Sequence, residues 1–162
     1  MGAQSGGGTP AVPFQERYLE DYTVGEVVDC GTTAVDEDEV VEFARRFDPQ
    51  SFHVDAHAAA GGPFGGLIAS GWHTASLMMR LYVEGYLSPK ASLGGPGVDE
   101  LRWIEPVRPG DTLALRAEVL ESRPSASKPD RGLLRTRVEL SNQHGRTVFR
   151  AVVLNMLRTR PR

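Results

Sequence analysis

The chain has 162 residues, 40% of them hydrophobic and 24% charged, which suits one domain with a substantial core. A net charge of −3 with no basic run argues against nucleic acid as the main partner, and no stretch approaches the ~20 apolar residues of a membrane helix. The single cysteine, Cys30, excludes an intrachain disulfide and a multi-cysteine metal site, and reads as a small apolar residue in a strand.

Residues 1–13 read as a flexible tail, with Ser5-Gly6-Gly7-Gly8 at its centre, ahead of one domain over 14–162. The tail lacks a cationic start followed by an apolar core, so it is not a secretory signal, and a cytoplasmic protein is expected. Val24 to Val35, rich in Val and Thr, predicts a first strand. Asp36 then opens a helix, with Glu39 three residues on in the manner of a capping box. Val40, Phe43, Ala44 and Phe47 give it one apolar stripe. Asp48-Pro49 stops it, because proline disfavours helical geometry in the residue before it, and residues 48–55 are expected to be an ordered turn between helices. Ala56 to Ala60 suggests a short helical turn, and the four glycines and proline of 61–66 a loop.

From Trp72 to Tyr86 a second helix is apolar on nearly every face, with only Arg80 and Glu84 charged, so it should be buried nearly all round. The second half supplies the covering. Val98 to Ile104 predicts a strand, ended by the turn from Pro106 to Gly110. Leu113, Leu115, Ala117 and Val119 alternate with polar or small residues, as do Leu134, Thr136, Val138 and Leu140. Thr147 to Leu157 follows a hairpin turn at Asn142-Gln143-His144-Gly145. Strand, helices, then three or four antiparallel strands is an α+β pattern, satisfied by one long helix enclosed by a curved sheet.

Chemistry concentrates in residues 48–55, where Asp48 and His53 stand five positions apart on a constrained turn just before the buried helix. A carboxylate and an imidazole holding one water between them can manage the proton movements of adding water to a double bond conjugated to a thioester. Histidine suits that work because its reference pKa lies near working pH. The competing account makes Asp48 a turn residue and His53 a packed histidine. Such a reaction also needs a donor for the developing enolate oxygen. Ala69-Ser70-Gly71 precedes the buried helix, and the Gly71 N–H at a helix N-terminus would serve, with Ser70 as the N-cap.

These segments resemble the MaoC-like dehydratases, relatives of the R-specific enoyl-CoA hydratases, from Arg17 to about Arg158. The resemblance rests on Arg17-Tyr18-Leu19-Glu20-Asp21-Tyr22 with Val24-Gly25-Glu26, on Phe43-Ala44 through Asp55, on Phe64 through Thr74, and on Pro106-Val107-Arg108-Pro109-Gly110-Asp111. It implies a hot-dog fold, a homodimer with acyl tunnels near its interface, and reversible syn hydration of a trans-2-enoyl thioester to the R-3-hydroxyacyl form. It places the family's acid–base pair on Asp48 and His53 and its carbonyl-binding glycine on Gly71. Ser70, Trp72 and Met79 are the further candidates for substrate contact. No cofactor is implied beyond the coenzyme A or carrier arm of the substrate itself.

The turn departs from the family pattern Asp-x-Asn-Pro-x-His, since Pro49 follows the aspartate directly and Gln50-Ser51 replaces Asn-Pro. Met79 stands where some R-specific hydratases carry a polar residue facing the pocket. Two rivals share these features: a hot-dog acyl thioesterase, and a non-catalytic acyl-binding subunit. His53, Asp55 and His57 have a metal-like spacing but no further ligand cluster, so no metal site is expected, and Asp55 reads as a helix cap. His73 reads as a packed histidine behind the site, Trp72 and Met78-Met79 as core or tunnel lining, and Arg45-Arg46 as solvated surface. The glycine-rich loop lacks the Gly-Lys-Ser/Thr ending of a phosphate loop.

Overall fold

A computed structural model describes residues 12–162, so most of the expected tail, residues 1–11, lies outside the described residues. After two 3-10 turns at Phe14–Glu16 and Leu19–Asp21, the first strand, β1, spans Val27–Ala34. It is shorter than expected: Gly25 turns at φ +88° and its N–H bonds to the Val119 carbonyl, so Val24 precedes the strand. Three short helices follow, α1 (Glu37–Phe47), α2 (Ser51–Val54) and α3 (Ala56–Ala60), and then the long α4 (Gly71–Gly85). The remaining strands are β2 (Gly97–Trp103), β3 (Thr112–Pro124), β4 (Arg131–Ser141) and β5 (Thr147–Arg158). All five strands pair antiparallel in one sheet of order β1-β3-β4-β5-β2. With α4 packed against it, this is the α+β hot-dog arrangement.

Local chemistry explains the boundaries. The Asp36 carboxylate accepts the Glu39 N–H at 3.0 Å, an N-cap worth about 1 kcal/mol. Glu39 does not return the bond; its carboxylate meets His73 Nε2 on α4 at 2.9 Å instead, so half of the expected capping box is spent on joining two helices. Residues 48–55 are not all turn: Ser51–Val54 closes a single helical turn, which carries His53 inward. Asp55 caps α3 by accepting from the N–H groups of His57 and Ala58, both at 3.0 Å.

The core lies between α4 and the sheet. Along β3 and β4 alternate residues are buried, among them Leu113, Leu115, Val119, Leu134, Val138 and Leu140. From α4 they receive Leu77, Met78, Leu81 and Tyr82. The expectation that α4 is buried nearly all round is corrected. Its outer face leaves Trp72, Met79 and Val83 exposed, because the sheet of a single chain covers only one side of the helix. Edge strand β2 is likewise uncovered, with Val98 and Trp103 exposed and Ile104 beside them.

Arg17 and its neighbours play a structural part. The buried Arg17 guanidinium meets Glu26 at 2.7 Å, the Tyr22 hydroxyl donates to the Tyr86 carbonyl at 2.8 Å, and the Ser88 hydroxyl donates to the Arg17 carbonyl at 2.7 Å. These bonds tie the first turns to the end of α4. Cys30, buried in β1, is the apolar strand residue expected, and burial pushes its thiol up to about 12. Among the described residues, no helix is long and apolar enough to cross a membrane.

Candidate active site

Asp48 ends α1, with its N–H on the Ala44 carbonyl, and Pro49 prevents the helix from continuing. The chain then turns through Gln50, whose N–H returns to the Asp48 carbonyl and whose own carbonyl accepts the His53 N–H at 2.9 Å. This backbone geometry brings two side chains five residues apart onto one side. His53 Nε2 lies 3.3 Å from Asp48 Oδ2. His53 is almost fully buried, while the Asp48 side chain keeps about a fifth of its surface, so the pair sits at the wall of a cavity.

Each member is held by further bonds. His53 Nδ1 is 2.7 Å from the Ile68 carbonyl oxygen. A carbonyl can only accept, so Nδ1 carries a hydrogen, and in the neutral ring Nε2 presents a lone pair toward Asp48. Asp48 Oδ2 accepts from the fully buried Ser70 hydroxyl at 2.7 Å, and Oδ1 accepts from the Gln50 side-chain amide at 2.8 Å. Burial pushes the Asp48 carboxyl up, but the hydrogen bonds from Gln50 and Ser70 and the nearby His53 outweigh it and hold the group below the usual carboxylate range. With the ring neutral, a carboxylate oxygen and an imidazole nitrogen stand side by side, both acceptors.

The cavity measures about 470 Å³. Asp48, Gln50 and His53 form its polar part, with Phe64, Ile68 and Val107 among its apolar walls. Gly71, at the start of α4, also lines it, and no acceptor for the Gly71 N–H is found among the described residues. Ser70 caps α4 through a long 3.3 Å bond from the Trp72 N–H to its hydroxyl oxygen, while giving its own hydrogen to Asp48. One serine therefore serves both the helix and the carboxylate.

Of the candidate residues, the structure brings Asp48, His53, Gly71 and Trp72 together around this cavity and sets Ser70 directly behind Asp48. Met79 is not among them; it lies on the outward face of α4, away from the cavity lining. His73 is buried behind the site, stacked on Phe43 at 5.0 Å, with Nδ1 lacking a hydrogen-bond partner among the described residues. His57 is exposed and Asp55 is engaged as a cap.

Two contributors had no strong sequence signal. Gln50 could be noticed only as a departure from the Asn of the family turn, and its amide supplies one of the two side-chain donors that fasten Asp48. Trp103 gave no signal, because it reaches the site from β2. Its indole N–H donates to the Gly71 carbonyl at 2.8 Å, and its ring lies so close that a Cβ on Gly71 would sit 2.4–2.6 Å from it. The bare Cα of Gly71 thus makes room for an indole, a use of glycine that the sequence did not suggest.

The chain is similar to known proteins in sequence and in fold. The sequence profile of the MaoC like domain matches residues 20–141. The crystal structure of a MaoC-like dehydratase from Rhodospirillum rubrum superposes with a TM-score of 0.82 at 41% identity, covering 90% of this chain and 99% of that one. The R-hydratase PhaJ1 of Pseudomonas aeruginosa gives a TM-score of 0.71 at 28% identity, over 88% of this chain and 86% of that one. In sequence, a 3-hydroxybutyryl-CoA dehydratase of Methylorubrum extorquens is 34% identical over 112 residues, 66% of each chain.

Proposed function

This chain belongs to the MaoC-like dehydratase family, and we propose that it adds water reversibly to trans-2-enoyl thioesters, giving the R-3-hydroxyacyl form. The observation that carries the proposal is the facing pair, Asp48 Oδ2 and His53 Nε2 at 3.3 Å on the wall of a cavity. Two acceptors so placed accept the two hydrogens of one water, and the water's oxygen is thereby turned toward a bound alkene. The reaction class named for the Rhodospirillum, Pseudomonas and Methylorubrum proteins supports the same reading.

In the hydration direction the water oxygen bonds to the β carbon and its proton passes to His53 Nε2. The π electrons move toward the α carbon and the carbonyl oxygen, where the Gly71 N–H and the amide end of α4 stabilise the enolate charge. The same nitrogen then delivers its proton to the α carbon on the same face, so the addition is syn and protons balance. Asp48, held ionised by Gln50 and Ser70, orients the water and stabilises the transient imidazolium. The coenzyme A or carrier arm belongs to the substrate, and the step calls on no other cofactor.

The outer face of α4 and the free edge of β2 together expose Trp72, Met79, Val83, Val98, Trp103 and Ile104. An unpaired strand edge beside an apolar helix face favours a second copy, β2 against β2 about a two-fold axis, and this homodimer is part of the proposal. The dimer would run the cavity along its seam.

Crotonyl-CoA tests the reaction. Loss of the conjugated-enoyl absorbance without release of free thiol supports hydration. Thiol release with no 3-hydroxyacyl product would establish the thioesterase rival instead.

A further inference from the structure

We infer that Trp103 sets the length of acyl chain that the site accepts, its indole walling the cavity beside Gly71; this rests on the acyl-thioester reading above. The placement begins in β2. Between Asp99 and Arg102 the pairing with β5 slips, so that Glu100 and Leu101 stand opposite a single residue, and Glu100 adopts φ +52°. A bulge of this kind changes which face the following side chains occupy. Leu101 turns onto the core, and Trp103, two residues on, shares its face.

Three contacts then fix the indole. Its N–H bonds to the Gly71 carbonyl at 2.8 Å, its ring lies on the bare Cα of Gly71, and Trp72 meets it edge-on at 5.1 Å between ring centres. The Asp48–His53 pair and Trp103 border the same cavity. The core beneath α4 is filled, since Leu77, Met78, Leu81 and Tyr82 are buried in one cluster with Phe149 and Val138. A chain whose β carbon meets the shared water extends within the cavity that the Trp103 indole helps to wall. The wall is about half exposed in the single chain, and a side chain so placed can be trimmed without emptying the core. The substrate class that follows is short-chain enoyl thioesters.

The test compares the wild-type protein with Trp103→Ala and Trp103→Phe on trans-2-enoyl-CoA of four, six and eight carbons, with folding checked by thermal melting. Each methylene newly buried is worth about fourfold in binding. Trp103→Ala should raise the six-to-four-carbon ratio of kcat/KM by roughly fifteenfold, and Trp103→Phe should move it part of the way. A wild-type protein indifferent to chain length overturns the inference. So does a Trp103→Ala protein that loses activity equally on all lengths.

Binding is read separately from turnover, because the chain has two tryptophans and both border the cavity. In Trp72→Phe, Trp103 is the sole indole. Butyryl-CoA should change its emission at concentrations at least tenfold below those that octanoyl-CoA requires. Absent turnover with that selective response would defeat the hydratase reading and leave the wall standing; emission blind to both ligands defeats the wall.

Discussion

Replacing Gly71 by alanine puts a methyl group where the Trp103 ring already lies, and its effects on stability and on turnover should separate. The new Cβ would fall 2.4–2.6 Å from three ring atoms, whereas carbon contacts settle at about 3.5–4.0 Å, so the indole must withdraw by about 1 Å. Withdrawal costs the bond from the indole to the Gly71 carbonyl, about 1 kcal/mol, and part of the Trp72–Trp103 edge contact, about 0.5–1.5 kcal/mol. Alanine returns up to ~1 kcal/mol of helix propensity. The balance is a loss of roughly 0.5–2 kcal/mol, a fall in Tm of only a few degrees for a chain of this size. Turnover should suffer more, since a shifted N–H at the enolate oxygen is worth ~3 kcal/mol, about a hundredfold in kcat/KM. The assay is crotonyl-CoA hydration beside a thermal melt of the same preparation. A folded Gly71→Ala protein with undiminished kcat/KM would refute both the role of that amide and the rigidity of the indole.

Outcomes at three further residues follow from their surroundings. Ser70→Ala removes a donor that favours ionised Asp48, so the carboxyl titrates higher, read from its carboxyl-carbon NMR shift against pH; an unmoved titration contradicts the coupling. The same change removes the α4 cap and should cost about 1 kcal/mol of stability, seen as a lower Tm. Cys30, its thiol pushed up to about 12 by burial and by the charge of Asp29, should resist a disulfide reagent at neutral pH and react on unfolding; rapid labelling of the native protein would contradict this. Val98→Lys places a charge on the free edge of β2 and should convert a dimer into a monomer in sedimentation, whereas an unchanged dimer would move the interface elsewhere.

The fold was legible because its signals are local. Alternation in residues 113–119 and 134–140, the Asp36 cap and the Pro49 stop each act within a few residues, and their elements appear where expected. Asp48 and His53 were legible for a similar reason, since the turn that joins them spans five residues. Their supports were less so. Gln50 acts through a side-chain bond that spacing alone does not reveal, and the Ile68 carbonyl that orders the imidazole carries no residue-type signature. Trp103 depends on the slipped register at Glu100 and on the meeting of β2 with α4, which involves residues 32 positions apart. The overestimate of burial for α4 has a different cause. Hydropathy does not say what covers an apolar surface, so the stripe of Trp72, Met79 and Val83 reads as core although the single chain leaves it exposed.

The central claim is that one carboxylate and one imidazole act together on a single water. Its most direct measurement is crotonyl-CoA turnover by Asp48→Asn and His53→Ala, each checked for a native melt. Proton transfer by a positioned side chain contributes about 10²–10⁴-fold, so each variant should lose at least a hundredfold in kcat, with the double variant losing little more than either single one. Turnover by either folded variant within a few-fold of the wild-type rate would contradict the account.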